Sequence, residues 1–185
     1  MSEVVRLTLV SHAMTDAMAA GRFPVDESLT PLGRSQLDRL NLGAAEHLLS
    51  GPEARVRETA EALGLRVRID ERLADLDCGQ WRGRALGELD PVHLARWMSA
   101  PGDAPHGGES IVALTARVRG WLGDVGATQG RTLAVTHPAV VRAAILTALE
   151  APPKSFWRID VAPASRTVLH FRGSAWTLRS GFDQR

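Results

Sequence analysis

Two histidines stand at matching places in this sequence. His12 follows an apolar, β-branched run from Val4 to Val10, and His137 follows a second such run from Thr132 to Thr136. Runs of this kind read as buried strands. In open α/β sheets, ligands bind beyond the carboxyl ends of the strands, near a topological switch point, so both histidines fall where a site is expected. Pro138 starts a helix directly after His137, and the free N–H groups and dipole of that helix start favour an anion. A single histidine at a strand end is commonly incidental; a matched pair among six histidines is harder to dismiss. Arg55 supplies a cation. It lies in the first turn of a helix that follows Ser50-Gly51-Pro52, again just past a short apolar segment, so it converges on the same sheet edge as a phosphate ligand. Arg57, two residues on, faces roughly the opposite side of that helix and reads as a solvated surface residue. Asp75 and Asp77, in Leu73-Ala74-Asp75-Leu76-Asp77-Cys78-Gly79, offer a proton donor, though either also fits a loop or cap aspartate.

The elements that must position these groups alternate along the chain. Thr30 caps, and Pro31 opens, a helix expected to run to about Glu46. His47–Ser50 reads as a short strand, Glu53–Leu63 as a helix ended by Gly64, and Leu65–Ile69 as a strand. A helix from Asp90 to Met98 lies inside the least regular stretch, 70–108. The amphipathic segment Ile111–Val125 and the helix Pro138–Leu149 flank the second strong strand, and further strands are expected near Ile159–Val161, Thr167–Phe171 and Trp176–Leu178. Such alternation implies an α/β three-layer sandwich, with a mostly parallel central sheet and helices on both faces. With 185 residues, 44% of them hydrophobic and 23% charged, residues 1–185 read as one globular domain.

Composition narrows the partners. The 22 basic and 21 acidic residues leave a net charge of +1, which gives no bulk field for nucleic acid. Lys154 is the only lysine, so the basic residues are otherwise arginines, and each must be judged by position. Cys78 is the only cysteine, which rules out an internal disulfide and a Cys-based zinc site. The longest apolar candidate, Ala139–Leu149, contains Arg142 and falls short of the ~18 residues of a membrane helix. The first residues lack the layout of a signal peptide, so a cytoplasmic location without membrane contact is expected.

Six blocks in register carry a resemblance over nearly the whole chain. They are Leu9-Val10-Ser11-His12-Ala13-Met14-Thr15, Leu29-Thr30-Pro31-Leu32-Gly33-Arg34, Ser50-Gly51-Pro52-Glu53-Ala54-Arg55 with Glu58-Thr59-Ala60, Leu73 to Gly83, Gly108-Glu109-Ser110, and Val135-Thr136-His137. In this pattern the chain resembles the histidine phosphatase superfamily, phosphoglycerate mutase-like branch. The resemblance implies that His12 is the nucleophile and forms a phosphohistidine, which water then hydrolyses. It implies that His137 and Arg55 hold the phosphoryl oxygens, with Thr15 and Ser11 beside them. Asp75, with Asp77 as the near alternative, becomes the proton donor, and no metal or other cofactor is needed. Ser-His-Ala stands where the family carries Arg-His-Gly, Met18 where many members place an asparagine, and Pro138 where a glycine is common. Losing a charge-assisted donor from a dry phosphate site costs about 100- to 1000-fold in rate. Arg22, in the loop after the signature, is the candidate substitute cation.

The function expected is therefore a phosphomonoester hydrolase acting on a small phosphorylated metabolite. The alternative is a catalytically weakened, phosphate-ester-binding or regulatory member of the same fold. A mutase fits less well, because the 25 positions from Gly83 to Gly108 leave only a short lid to exclude water. A metal-dependent hydrolase built on His12, His137 and Asp77 lacks short-spaced ligand pairs such as His-x-His. The five tryptophans are scattered through the elements, which favours packing over a stacking platform, and His106 is placed at a pocket rim. A homodimer through an edge strand or exposed helix is one arrangement the sequence allows.

Overall fold

The computed structural model describes residues 4–180. Its centre is a six-stranded sheet in the order β3-β2-β4-β1-β5-β6, formed by β1 (Val5–Ser11), β2 (His47–Ser50), β3 (Arg68–Ile69), β4 (Arg131–Thr136), β5 (Arg166–Arg172) and β6 (Ala175–Arg179). The first four of these are mutually parallel; β5 runs antiparallel to β1, and β6 antiparallel to β5. Alternation along the strands divides the core into two faces. Leu7 and Leu9 of β1 and Ala134 of β4 pack with α5 (Ile111–Ala127) and α6 (Pro138–Ala148). Val10, Leu133 and Val135 face the other way, against Val56 and Ala60 of α3 (Ala54–Ala62). The expected three-layer sandwich is present, with a mixed sheet whose parallel part carries the strand ends that matter.

Register does the positioning. Ser11 of β1 pairs with Thr136 of β4, so the next residues, His12 and His137, emerge side by side. The backbone N–H of His12 donates to the Thr136 carbonyl at 2.9 Å, extending the ladder by one bond. Ser50 of β2 pairs with Val135, which brings the start of α3 to the same edge.

Several elements are shorter than the sequence predicts. The helix opened by Thr30 and Pro31, α2, spans only Pro31–Gln36 and tightens into a 3-10 turn over Leu37–Arg39. Leu40 is already extended, and Gly43 follows at φ +70°, so the chain cannot continue as helix to Glu46. Of Leu65–Ile69 only the last two residues pair, since β2 offers them only Leu49 and Ser50. Ile159–Val161 is not a strand: the segment follows a 3-10 turn (Pro153–Arg158) and passes beside the sheet edge, where its carbonyls serve side chains instead. Two short helices complete the frame, α1 (Asp16–Ala19) and α4 (Pro91–Ser99).

Candidate active site

His12 leaves β1 buried, and its Nδ1 lies 2.8 Å from the carbonyl of Ala13. A carbonyl only accepts, so Nδ1 carries the hydrogen and Nε2 keeps its lone pair. Burial, and then the nearby charge of His137, lower the His12 pKa to about 4; the Ala13 carbonyl opposes this, Arg55 adds to it, and Asp75 opposes it least. The ring is therefore an unprotonated base at neutral pH. Ala13 is fixed in turn: its N–H donates to Thr59 Oγ1 at 3.1 Å, and that hydroxyl donates to the Arg55 carbonyl at 2.7 Å. α3 thus sets the His12 loop and Arg55 together. Gly33 lets α2 close against the same loop, because a Cβ there would strike the Met14 carbonyl.

Beside His12 lies a ring of charge. The His12 and His137 rings are 5.3 Å apart, edge to face. Arg55 is buried; its Nη2 donates to Asp75 Oδ2 at 2.7 Å and its Nη1 to the Val25 carbonyl at 2.8 Å, while Nε is buried without a partner. Asp75 Oδ2 is also 3.3 Å from His137 Nδ1, without hydrogen-bond alignment. On its other side, His137 Nε2 is 2.8 Å from Glu53 Oε2, and Glu53 Oε1 accepts from the Asp75 N–H at 2.9 Å. Burial pushes the Asp75 carboxyl up, but His137 and Arg55 outweigh it and hold the pKa below the usual aspartate value. Glu53 is treated alike: burial opposes, and its bond to His137 and that ring's charge keep the carboxyl low.

His12, Arg55, Asp75 and His137 thus converge, as the sequence predicts. The remaining expectations fare differently. Ser11 is fully buried and donates its hydroxyl to the Ala162 carbonyl at 2.6 Å, with Ser165 Oγ alongside at 3.1 Å, so its donor is spent on the crossing segment. Thr15 Oγ1 caps α1 by accepting from the Met18 N–H. Arg22 reaches the cavity wall, but its exposed guanidinium bonds the Gly83 carbonyl at 3.2 Å and faces Glu88 at 3.6 Å. Asp77 turns outward to Arg82 at 2.8 Å and accepts from the Gly79 N–H. His106 is not at a rim: it is fully buried against Trp81, with Nδ1 accepting from the Gly108 N–H. The tryptophans divide, for Trp121 is core, whereas Trp97 and Trp157 wall the cavity in front of His12.

That cavity has a volume of about 180 Å³; of two side chains the sequence did not single out, Arg142 lines it and Glu53 contacts His137 outside it. Glu53 needed the tertiary approach of His137 to be recognised. Arg142 carried a signal, a lone charge in the apolar helix Ala139–Leu149, but its facing side depends on how α6 packs. Among the described residues no group of three or more His, Cys, Asp and Glu is arranged to hold a metal ion, and no helix is long and apolar enough to cross a membrane.

Residues 7–184 match the histidine phosphatase superfamily, branch 1. The chain belongs to this superfamily. Phosphoserine phosphatase 1 of Hydrogenobacter thermophilus is 30% identical over 183 residues, spanning 90% of this chain and 87% of its relative. Glucosyl-3-phosphoglycerate phosphatase of Mycobacterium tuberculosis is 34% identical over 137 residues, or 67% of this chain and 61% of that one. A solved structure of mycobacterial glucosyl-3-phosphoglycerate phosphatase with VO3 superposes with a TM-score of 0.81 at 28% identity, covering 94% of this chain and 96% of that one. Phosphoserine phosphatase of Entamoeba histolytica, in complex with phosphoserine, shares the fold at a TM-score of 0.85 over 95% of each chain, with 21% identity.

Proposed function

We propose that this protein is a phosphatase that hydrolyses a phosphomonoester of a small metabolite through a phosphohistidine on His12. The observation that carries the reading is the His12 ring itself, with Nδ1 tied to Ala13, Nε2 free, and the basic form held at neutral pH. The named substrates of the relatives, phosphoserine and glucosyl-3-phosphoglycerate, support a small phosphorylated ligand. In this reading the Nε2 lone pair attacks phosphorus while the ester P–O bond breaks, and Asp75 gives its proton to the departing oxygen. Water then attacks the phosphorus, Asp75 takes back a proton, and the P–N bond breaks to release inorganic phosphate. Arg55 and His137 hold the phosphoryl oxygens throughout. The substrate's negative charge takes over Arg55 and His137, the groups that hold the Asp75 pKa down, and the freed carboxyl is then able to hold a proton. We place the whole sequence in one domain and in the cytoplasm, where the buried, unpaired Cys78 thiol is at home.

A second reading, a phosphate-ester-binding module, draws on Ser11: its hydroxyl is committed to Ala162, so it is not free to donate to a phosphoryl oxygen beside His12. Incubation with an aryl phosphate separates the two. Hydrolysis, with acid-labile phosphate that disappears in His12→Ala, is the expected result. Phosphate binding without turnover on a broad phosphomonoester panel would establish the module instead.

A further inference from the structure

The cavity in front of His12 is not a phosphate-shaped hollow. Its walls beyond the charged ring are largely apolar and aromatic, with Phe23, Trp97, Phe156 and Trp157, though Arg22 and Glu27 also line it. Trp97 and Trp157 lie 4.3 Å apart between ring centroids, and Phe156 meets Trp157 edge-on at 4.8 Å. Into this wall α6 sends one charge, Arg142. Its guanidinium lies over the Phe156 and Trp157 rings, at 5.5 and 5.7 Å from their centroids, and Nε donates to the Ile159 carbonyl at 2.8 Å. These contacts fix the plane of the group. Among the described residues, the two Nη nitrogens have no hydrogen-bond partner and no carboxylate within ion-pair distance; Asp160 and Asp75 act on it only from farther off. Burial depresses its pKa from the ordinary arginine value, which marks the cost of keeping a half-buried guanidinium without a contact partner.

The geometry points to Arg142 as the binding site for a carboxylate on the leaving group of the substrate. The inference rests on the hydrolytic reading of His12 and adds the substrate class: a phosphomonoester whose alcohol part carries a carboxylate on an apolar or flat body. Two parallel Nη–H groups at the open end of a planar fork match the two oxygens of a planar carboxylate. A second phosphoryl group would need donors from several directions, and the other arginine of this cavity, Arg22, is already engaged by the Gly83 carbonyl and Glu88. The phosphoryl end is served separately by Arg55, which is anchored to Asp75 and Val25. The aromatic walls keep water from the pair and so strengthen it, and they take up the carbon body between the two anions.

The test uses phenyl phosphate, its three carboxyphenyl isomers, and the matching carboxamides as uncharged controls of the same size. The isomers sample the reach from phosphorus to Arg142. In the wild-type protein kcat/KM for at least one carboxylate isomer should exceed that of its carboxamide by about 10- to 100-fold, the value of hydrogen bonds to a charged group. In Arg142→Gln that ratio should fall to near one, and Arg142→Lys should keep an intermediate ratio because it retains charge without the fork. The ratio is internal to each protein, so a change in absolute rate does not obscure it. No carboxylate preference in the wild type, or a preference that survives in Arg142→Gln, would overturn the assignment. Should none of the esters be hydrolysed, the hydrolytic reading fails on its own account. The same ratio is then read by calorimetry from binding of carboxyphenylphosphonates against their carboxamides, with the same two outcomes.

Discussion

A histidine whose conjugate acid has a pKa of about 4 is a base that neutral solution does not protonate. For His12 the consequence has a definite sign. In the proposed role the neutral ring attacks, so the acid limb of kcat/KM set by this group is expected near pH 4, not near the ordinary histidine value of 6.5. A limb near 6.5 that moves when Ala13 or Thr59 is altered would show that the ring is not buried as described. Folding is linked to the same proton. Because the folded pKa lies below the unfolded one, the unfolded chain takes the proton first, and stability falls as pH drops from about 6.5 toward about 4, by roughly 3 kcal/mol. Denaturant titrations at pH 7 and pH 4.5 should show this loss shrink in His12→Ala. At this scale the sequence was readable wherever a residue's position follows from the chain alone. His12 and His137 end strands, Arg55 opens a helix, and all three meet as expected. It was unreadable where a role depends on what approaches from elsewhere. Nothing local tells that Glu53 will meet His137, or that the Ser11 hydroxyl will be claimed by Ala162, 151 residues away.

Asp75, the proposed acid, sits on a loop, and α5 holds the loop. Arg117 on α5 donates to the carbonyls of Arg72 and Ala74 at 2.8 and 3.0 Å, and to that of Asp75 at 3.4 Å, while Glu109 pairs with it at 2.7 Å. Thr136 adds a bond from the end of β4 to the Leu73 carbonyl. Arg117→Ala leaves these carbonyls and Glu109 without their donor, at about 2–4 kcal/mol, and for a chain of this size about 4–15 °C in Tm. Turnover should fall at least about tenfold through displacement of Asp75; thermal melts and aryl phosphate kinetics check both. Arg117→Lys cannot span the same carbonyls and should recover little. Gly108 fixes the other end of this segment: a Cβ there would run into the Asp77 carbonyl, so Gly108→Ala should lower stability and activity together. Turn chemistry made the glycines visible in the sequence, but not what they press against. The early end of α2 and the loss of a strand at 159–161 have one origin. Local pattern specifies what a segment could form, and ladder partners and neighbouring side chains decide what it does form.

Across the whole molecule, the site gathers residues from positions 12, 53, 55, 75, 137 and 142, joined only by the sheet order that places β1, β4 and β2 next to one another. The arginine-rich composition resolves into distinct uses. Arg55, Arg117 and Arg142 point inward to an anion seat, a loop and a cavity wall, while Arg6, Arg131 and Arg172 line a hollow near the opposite end of the sheet. Since the proposed nucleophile, acid and phosphoryl ligands are all side chains, hydrolysis is expected to continue undiminished in excess chelator; loss of activity that returns with an added divalent ion would contradict this.

One arrangement bears on how the reaction ends. The Asp75 carboxylate sits against Arg55 and His137, where a phosphoryl oxygen would be held. In the proposed reading the protein carries a built-in rival to its own product. Inorganic phosphate can stay only while Asp75 is displaced, and each return of the carboxylate drives it out, so release is an exchange of one anion for another. Asp75→Asn removes the rival's charge. It should slow turnover yet make inorganic phosphate a tighter inhibitor, and unchanged or weaker product inhibition would show that the carboxylate and the phosphate do not compete for the seat.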